Sequence, residues 1–227
     1  VLSISFFASP QTQTNPQRAV AAGPCDTPAN PVVAENCLPG SPAAEWEVSG
    51  AGDVAIQGFA TDISVNQGQT IHFKIDTPAT DYRVDIYRLG FYGGDGARKV
   101  ATVQPAAVLP QTQPACLFST APNVNLTDCG NWSESASWDV PAAAVSGVYL
   151  ARLVREDGTP GASHVPFVVR NDFGTSDLLF QTSDTTWQAY NNYGGYSMYA
   201  GSGHSAKVSY NRPFNTRTNS TEDYLFN

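Results

Sequence analysis

Apolar and polar residues alternate with a period of two in several short stretches between residues 46 and 170. In residues 71–75, IHFKI, the side chains at 71, 73 and 75 are apolar, while those of His72 and Lys74 between them are polar. Turn signals separate these stretches, and no helical period interrupts them. The pattern predicts a mainly β fold, with an Ig- or fibronectin-III-like β-sandwich over residues 44–172. The other alternating stretches are residues 54–59, 82–87, 148–154 and 165–169.

The pattern changes after residue 170. Residues 177–181, DLLFQ, form a nearly continuous apolar run, as expected of a strand that is covered on both faces. The polar residues 183–186 then offer caps for a helix that opens at Trp187. A strand, a polar turn and a helix start are how an α/β unit begins, and ligands bind after such strands. We therefore expect residues 173–227 to be the N-terminal part of a truncated α/β domain.

The N-terminal residues 1–43 are rich in Pro, Ala, Gln and Thr and have no apolar period. They are typical of a flexible arm. The opening VLSISFFASP, with small residues at 19–21, resembles a signal-peptide remnant; the alternative is an arm that follows a cleavage site already lost. Since the sequence starts at Val1 and stops directly after an aromatic segment, we expect a fragment of a longer protein.

The net charge limits which partners the protein can bind, and the cysteine content indicates the compartment in which it resides. A net charge of −8 and a pI near 4.7 argue against nucleic acid or an anionic membrane surface as the main partner. No apolar run approaches the roughly 20 residues of a membrane span. The four cysteines, Cys25, Cys37, Cys116 and Cys129, allow three pairings, among which the sequence does not choose. They form no CxxC motif, so disulfides in a secreted or cell-surface protein are the better interpretation.

A glycine-rich stretch follows the predicted strand at residues 82–87. It contains Gly93, Gly94 and Gly96 around Asp95, an arrangement that could resemble a phosphate cradle. No helical pattern follows to supply an N-terminal dipole, so the nucleotide interpretation fails. The sequence favours a rigid aromatic corner of the sandwich.

The densest aromatic stretch is residues 183–199, SDTTWQAYNNYGGYSMY, which holds four of the ten tyrosines. One interpretation is an aromatic cluster that closes the end of the fold. The other is a pocket in which rings hold a ligand and phenol groups bind it or a metal. His204 is the one histidine near this stretch; it is a candidate general base, although the glycines and serines around it favour a solvated loop.

Several segments together resemble the N,N-dimethylformamidase large (beta) subunit-like family of exported bacterial proteins. The resemblance implies a β-sandwich ahead of an α/β domain of the glutamine-amidotransferase-like kind. It also implies hydrolysis of a small amide at a mononuclear iron that two tyrosines and a glutamate hold. The segments that carry it are DISVNQGQTIHFKI, YRVDIYRLGFYGGDGARKV, NWSESASWDVP, SGVYLARLVREDG, SDLLFQTSDTTWQAYNNYGGYSMY and KVSYNRPF.

The resemblance also assigns residues. It implies Tyr190 as the first iron ligand and Tyr199 as the second, because a hard ferric ion favours anionic oxygen donors such as phenolate. Tyr193, Tyr196 or Tyr210 is an alternative to Tyr199, and the glutamate is expected further along the domain, beyond this chain. The residues expected to line the pocket are Trp187, Asn191, Tyr193 and Arg212, of which Arg212 would orient a carboxylate.

Two functions follow as hypotheses. The first is an exported amidohydrolase-like protein that acts on a small amide or similar polar ligand, with this chain holding the sandwich and part of the iron site. The second is a non-catalytic extracellular module whose sandwich binds carbohydrate or protein. The sequence leaves the oligomeric state open.

Overall fold

The protein is described by a computed structural model that covers residues 23–50, 52–119, 121, 124–199 and 204–215. The predicted signal-peptide remnant, with its small residues at 19–21, lies outside the described residues. Across the described range no helix is long and apolar enough to cross a membrane.

The described chain is mainly β, as predicted. A three-stranded sheet has the order β1-β3-β8, and a five-stranded sheet has the order β2-β10-β9-β4-β5. Neighbouring strands are antiparallel except β2 and β10, which are parallel. A separate hairpin is formed by β6 and β7. The strands are β1 Gln57–Ala60, β2 Ser64–Asn66, β3 Thr70–Asp76, β4 Tyr82–Leu89, β5 Ala97–Val103, β6 Leu117–Ser119, β7 Leu126–Asp128, β8 Ala136–Asp139, β9 Gly147–Arg155 and β10 Ala162–Arg170.

The main core lies between the two larger sheets, where the alternating pattern places it. In β3 the three apolar side chains predicted to face inward are fully buried, while His72 and Lys74 are only partly covered. Phe73 of β3 meets Phe167 of β10 edge to face, with ring centroids 5.8 Å apart. The period-two pattern therefore identifies the buried face of β3 correctly.

The outer face of the five-stranded sheet is also covered. Tyr87 and Leu150 on this face pack against Trp46, which ends the short helix α2, Ala43–Trp46. The Tyr87 hydroxyl donates to the main-chain oxygen of Glu45 at 3.0 Å. The helix α1, Pro31–Asn36, precedes α2 and lies within the range predicted as a flexible arm.

Two disulfides join the cysteines in sequential order. The first, Cys25–Cys37, closes the segment that contains α1, and Cys37 is the C-cap of that helix. The second, Cys116–Cys129, joins the two ends of the hairpin formed by β6 and β7. This is one of the three pairings that the sequence leaves open.

The strand predicted at residues 177–181 is wrong. These residues have no regular structure, and the side chains of Leu178, Leu179 and Phe180 are 89%, 95% and 82% exposed. A strand covered on both faces needs neighbours that pair with its backbone and bury its side chains, and none of the described strands lies beside this run. The helix predicted after it does form, as α3, Asp184–Tyr190. An α/β domain is not confirmed within the described residues.

Candidate functional site

The aromatic stretch 183–199 begins with α3 and turns back at its end. Ser183 occupies the N-cap position, and its main-chain oxygen accepts a hydrogen bond from the Trp187 nitrogen at 3.0 Å. At the other end, the nitrogen of Asn191 donates to the oxygen of Trp187 at 2.9 Å. The chain then returns, because the nitrogen of Met198 donates to the oxygen of Ala189 at 2.9 Å.

This return places the rings of Tyr190 and Tyr199 against each other. Their centroids lie 4.3 Å apart and their planes differ by 19°, so the rings stack. The Ser197 hydroxyl accepts a hydrogen bond from the Tyr199 nitrogen at 3.2 Å and fixes the end of the loop. Tyr199 is 58% exposed, so the stacked pair lies at the protein surface. The structure thus brings together the two tyrosines that the family resemblance implies as ligands.

Asn191 joins α3 to the last described segment. Its side chain is fully buried. Its Nδ2 donates to the oxygen of Pro213 at 3.0 Å, and its Oδ1 accepts from the nitrogens of Tyr193 and Asn215, both at 3.2 Å. Nδ2 also donates to Oε1 of Gln188 at 3.2 Å, so the amide acts as a structural connector between α3 and main-chain groups of the following segments.

Arg212 holds the same loop from the other side. Its guanidinium is 1% exposed and donates to the main-chain oxygens of Gln188, Tyr193 and Tyr196 at 3.1–3.2 Å. Burial lowers the pKa of Arg212 to about 10, because the charged form is removed from water. In the described residues its partners are carbonyl oxygens, whereas the sequence predicts a carboxylate partner.

The other tyrosines considered as ligands are engaged elsewhere. The ring of Tyr193 packs against the cluster of Phe59 and Trp132 on the sandwich, and burial raises its pKa. The ring of Tyr196 stacks on Phe118 of β6, with centroids 5.6 Å apart. These contacts attach the loop to the sandwich and its hairpin.

Tyr210 forms a pair with Asp184 at the start of α3. Its hydroxyl donates to Asp184 Oδ2 at 2.8 Å. Desolvation, followed by the hydrogen bond and the charge of Asp184, raises the pKa of Tyr210 to about 12. This hydroxyl is therefore held in its protonated form, which is the opposite of what a phenolate ligand needs. Sequence reasoning missed the pair, because the two residues are 26 positions apart and no local pattern links them.

A small cavity lies between the sandwich and α3. Its volume is about 30 Å³, which is room for about one water molecule. Trp187 and Arg212 line it together with Phe59, Val165 and Tyr210. Asn191 and Tyr193 are not among its lining residues, nor are the stacked tyrosines.

His204 does not join this site. Its side chain is exposed, and its main-chain oxygen accepts a hydrogen bond from Asn125 Nδ2 at 3.4 Å. Its neighbour Ser205 is buried and donates through its hydroxyl to the oxygen of Asn125 at 2.7 Å. The structure thus attaches this segment to the β6–β7 hairpin through Ser205 and leaves the imidazole in solvent.

The iron site that the family resemblance implies needs two phenolate oxygens and a carboxylate. Two phenol oxygens suit a hard ferric ion. Asp184 lies six positions before Tyr190, about 9 Å along the axis of α3, and is bonded to Tyr210. Over the described range no cluster of three His, Cys, Asp or Glu side chains could hold a metal. The described residues therefore place two phenol rings side by side, while Asp184 is engaged with Tyr210.

Comparison with known proteins gives one family match. The family described as N,N-dimethylformamidase beta subunit-like, C-terminal, matches residues 83–226. No curated protein matches the chain.

Two solved structures share part of the chain's shape. An uncharacterized protein from Bacillus anthracis str. Ames is 15% identical, covers 49% of this chain and 82% of its own, and has a TM-score of 0.31. Domain 1 of VCBP3 from Branchiostoma floridae is 10% identical and also has a TM-score of 0.31. Its match covers 53% of this chain and 98% of that domain's chain. At these TM-scores neither likeness bears on fold or function.

Proposed function

The chain belongs to the N,N-dimethylformamidase beta subunit-like family, and from this premise we propose that it is an exported amidohydrolase-like protein acting on a small amide. The observation that carries the proposal is the stack of Tyr190 on Tyr199, at 4.3 Å. It brings together the phenol groups of the last residue of α3 and of the loop that returns to it, and a tyrosine-ligated iron would need two such groups. The third ligand, a carboxylate, comes from outside the described residues.

The roles of the chain's own residues follow from their contacts. Tyr190 and Tyr199 would hold the iron through their phenolate oxygens. Arg212 and Asn191 position the loop that carries them, since both are buried and bonded to its main chain. An iron centre supplies Lewis-acid polarisation of an amide carbonyl and a lowered pKa of a bound water.

Export is part of the same proposal. Two disulfides join all four cysteines, and disulfides persist in oxidising compartments. These bonds fit a protein that is secreted or displayed at the cell surface.

The test uses the natural protein that contains this chain, loaded with ferric iron. We expect bound iron by elemental analysis, a visible tyrosinate-to-iron absorption band, and hydrolysis of N,N-dimethylformamide. Tyr190→Phe and Tyr199→Phe should each keep the ring stack while removing one donor oxygen, so iron content and the visible band should fall.

Tyr196→Phe is the matched control. Its ring stacks on Phe118, and its loss of a hydroxyl should leave iron content and the visible band unchanged. A wild-type protein that binds no iron and hydrolyses no amide, or an iron content that survives both Phe substitutions together, would overturn the proposal.

A further inference from the structure

A second cleft lies on the sandwich, in a different group of residues from the stacked tyrosines. Its volume is about 210 Å³. Glu35 of α1 and Arg98 of β5 form one side, while Trp138, Tyr149 and the loop between β8 and β9 form the other. The cleft is therefore polar on one side and mainly apolar on the other.

The polar side is built around a buried carboxylate. Glu35 is 9% exposed, and its Oε1 accepts hydrogen bonds from the Tyr92 hydroxyl at 3.0 Å and from Arg98 Nε at 2.8 Å and Nη2 at 2.5 Å. Within the described residues no hydrogen bond reaches Oε2 of Glu35 or leaves Nη1 of Arg98, and neither atom is among the fully buried atoms that lack a partner, so both are open to solvent in the cleft. An accessible acceptor beside an accessible donor, both held in place by the ion pair, is available to a polar ligand in the cleft.

The surrounding residues hold this side rigid. Arg88 donates to the Tyr92 hydroxyl at 3.0 Å and to the oxygens of Val145 and Ser146 at 3.3 and 2.9 Å, which fixes the loop opposite. The helix that carries Glu35 is capped by Asn30 and followed by the Cys25–Cys37 disulfide. The two recognition groups are thus positioned before any ligand arrives, which lowers the entropic cost of binding.

The charges select the class of ligand. The negative charge of Glu35 and the positive charge of Arg98 cancel. An anion in the cleft would be repelled by Glu35, and a cation would be repelled by Arg98. A neutral ligand with a hydroxyl donor next to a hydroxyl acceptor satisfies both groups. The volume is below the roughly 300 Å³ of pockets that take drug-sized ligands, so one ring fits better than several.

We propose that this cleft binds one ring of a neutral carbohydrate, with vicinal hydroxyls on Glu35 and Arg98 and its less polar face against Trp138 and Ala143. The site does not depend on iron or on the stacked tyrosines. A free monosaccharide and the terminal sugar of a glycan present the same chemistry to it.

The test is a titration of the full chain with glucose, galactose, mannose and N-acetylglucosamine, read by saturation-transfer NMR and calorimetry. We expect at least one sugar to bind with a millimolar dissociation constant. Repeating the titration with oligosaccharides that end in that sugar distinguishes the two sources: equal affinity indicates recognition of the ring alone, and tighter binding indicates a glycan. Both results support the site.

The matched variants are Ala143→Phe and Ala142→Phe. Both alanines are exposed neighbours on the same loop, but only Ala143 lines the cleft. We expect Ala143→Phe to fill the cleft and weaken sugar binding at least tenfold, with Ala142→Phe unchanged. Glu35→Gln replaces the open acceptor by a donor and should weaken binding about tenfold. Thermal melting of each variant checks that it is folded.

Three results would overturn the proposal. They are the absence of binding by all four sugars, unchanged sugar binding in the folded Ala143→Phe protein, and binding of inorganic phosphate or tetramethylammonium in the cleft in place of sugar. Tyr190→Phe should leave sugar binding unchanged, which separates this site from the proposed iron site.

Discussion

Arg212 donates a hydrogen bond from Nη2 to the main-chain oxygen of Gln188 at 3.1 Å. The bond joins the last described segment to the C-terminal half of α3. Two further bonds from the same guanidinium reach the oxygens of Tyr193 and Tyr196, so one buried side chain fixes the loop that returns to Tyr199. The position of the stacked tyrosines therefore depends on a residue that lies 13 positions further along the chain.

Arg212→Met should destabilise the protein. The substitution removes the donor of four main-chain oxygens, one in a buried bond and three in partly buried ones, and a buried group left unsatisfied costs on the order of 1–3 kcal/mol. We expect the free energy of unfolding to fall by about 3 kcal/mol, measured by urea denaturation. Lys207→Met removes an exposed cation from the same segment. It should change the free energy of unfolding by less than about 0.5 kcal/mol. Equal effects of the two substitutions would contradict the structural role of Arg212.

Gly194 and Gly195 should differ in their tolerance of alanine. Both have positive φ, +84° and +91°, so either substitution costs about 1 kcal/mol of backbone strain. A Cβ at Gly194 would lie 2.4 Å from Thr127 Oγ1, whereas one at Gly195 meets open space. We expect Gly194→Ala to cost about 1–3 kcal/mol more than Gly195→Ala, because Thr127 is buried and must move. Denaturation curves that coincide for the two variants would show that the loop does not approach β7 this closely.

The sandwich could be predicted from the sequence because its signal is local. In β3 and β10 the side chains that alternate along the strand are the ones that fill the core. The sequence also places α3 to within a few residues, although the helix begins at Asp184, three residues before the predicted start at Trp187.

The candidate site could be predicted only in part, because its contacts are distant in sequence. The role of Asn191 depends on Pro213, 22 positions away, and Tyr193 packs on a cluster formed by the sandwich. The apolar run at 178–180 misled the prediction, since a run of apolar residues shows that burial would be favourable but not which strands provide it. The pairing of Glu35 with Arg98 was missed because a Pro-rich segment gave no sign of a helix there.

The two disulfides should contribute unequally to stability. They close segments of similar length, with sequence separations of 12 and 13, so chain entropy assigns each about 3 kcal/mol. Cys129 is fully buried against Phe59 and Trp132, whereas Cys25 is exposed. We expect the double variant Cys116→Ser and Cys129→Ser to lose more unfolding free energy than Cys25→Ser with Cys37→Ser, by about 1–2 kcal/mol, because it also buries a hydroxyl group. Guanidinium denaturation of both variants measures the difference, and a larger loss from the first pair of cysteines would contradict it.

The pair formed by Tyr210 and Asp184 should make stability depend on pH in the alkaline range. Burial of the phenol, aided by Asp184, raises the pKa of Tyr210 to about 12, above the value near 10 of an unfolded tyrosine. The folded state therefore holds the proton more tightly than the unfolded state. This contribution to stability is fully present below about pH 10 and is lost as the pH rises through about 12.

Asp184→Asn should lower the pKa of Tyr210 but leave it above its ordinary value, because burial, the largest single cause of the shift, remains. NMR of protein labelled at the tyrosine Cζ carbon measures the titration directly, and unfolding at several pH values measures its effect on stability. Asp172→Asn removes a carboxylate that pairs with Arg170 and should leave the Tyr210 titration unchanged. If Asp184→Asn leaves the pKa of Tyr210 where it was, the hydrogen bond between them does not hold the proton. The segment after residue 204 would then be attached to α3 by Arg212 and Asn191 without help from Tyr210.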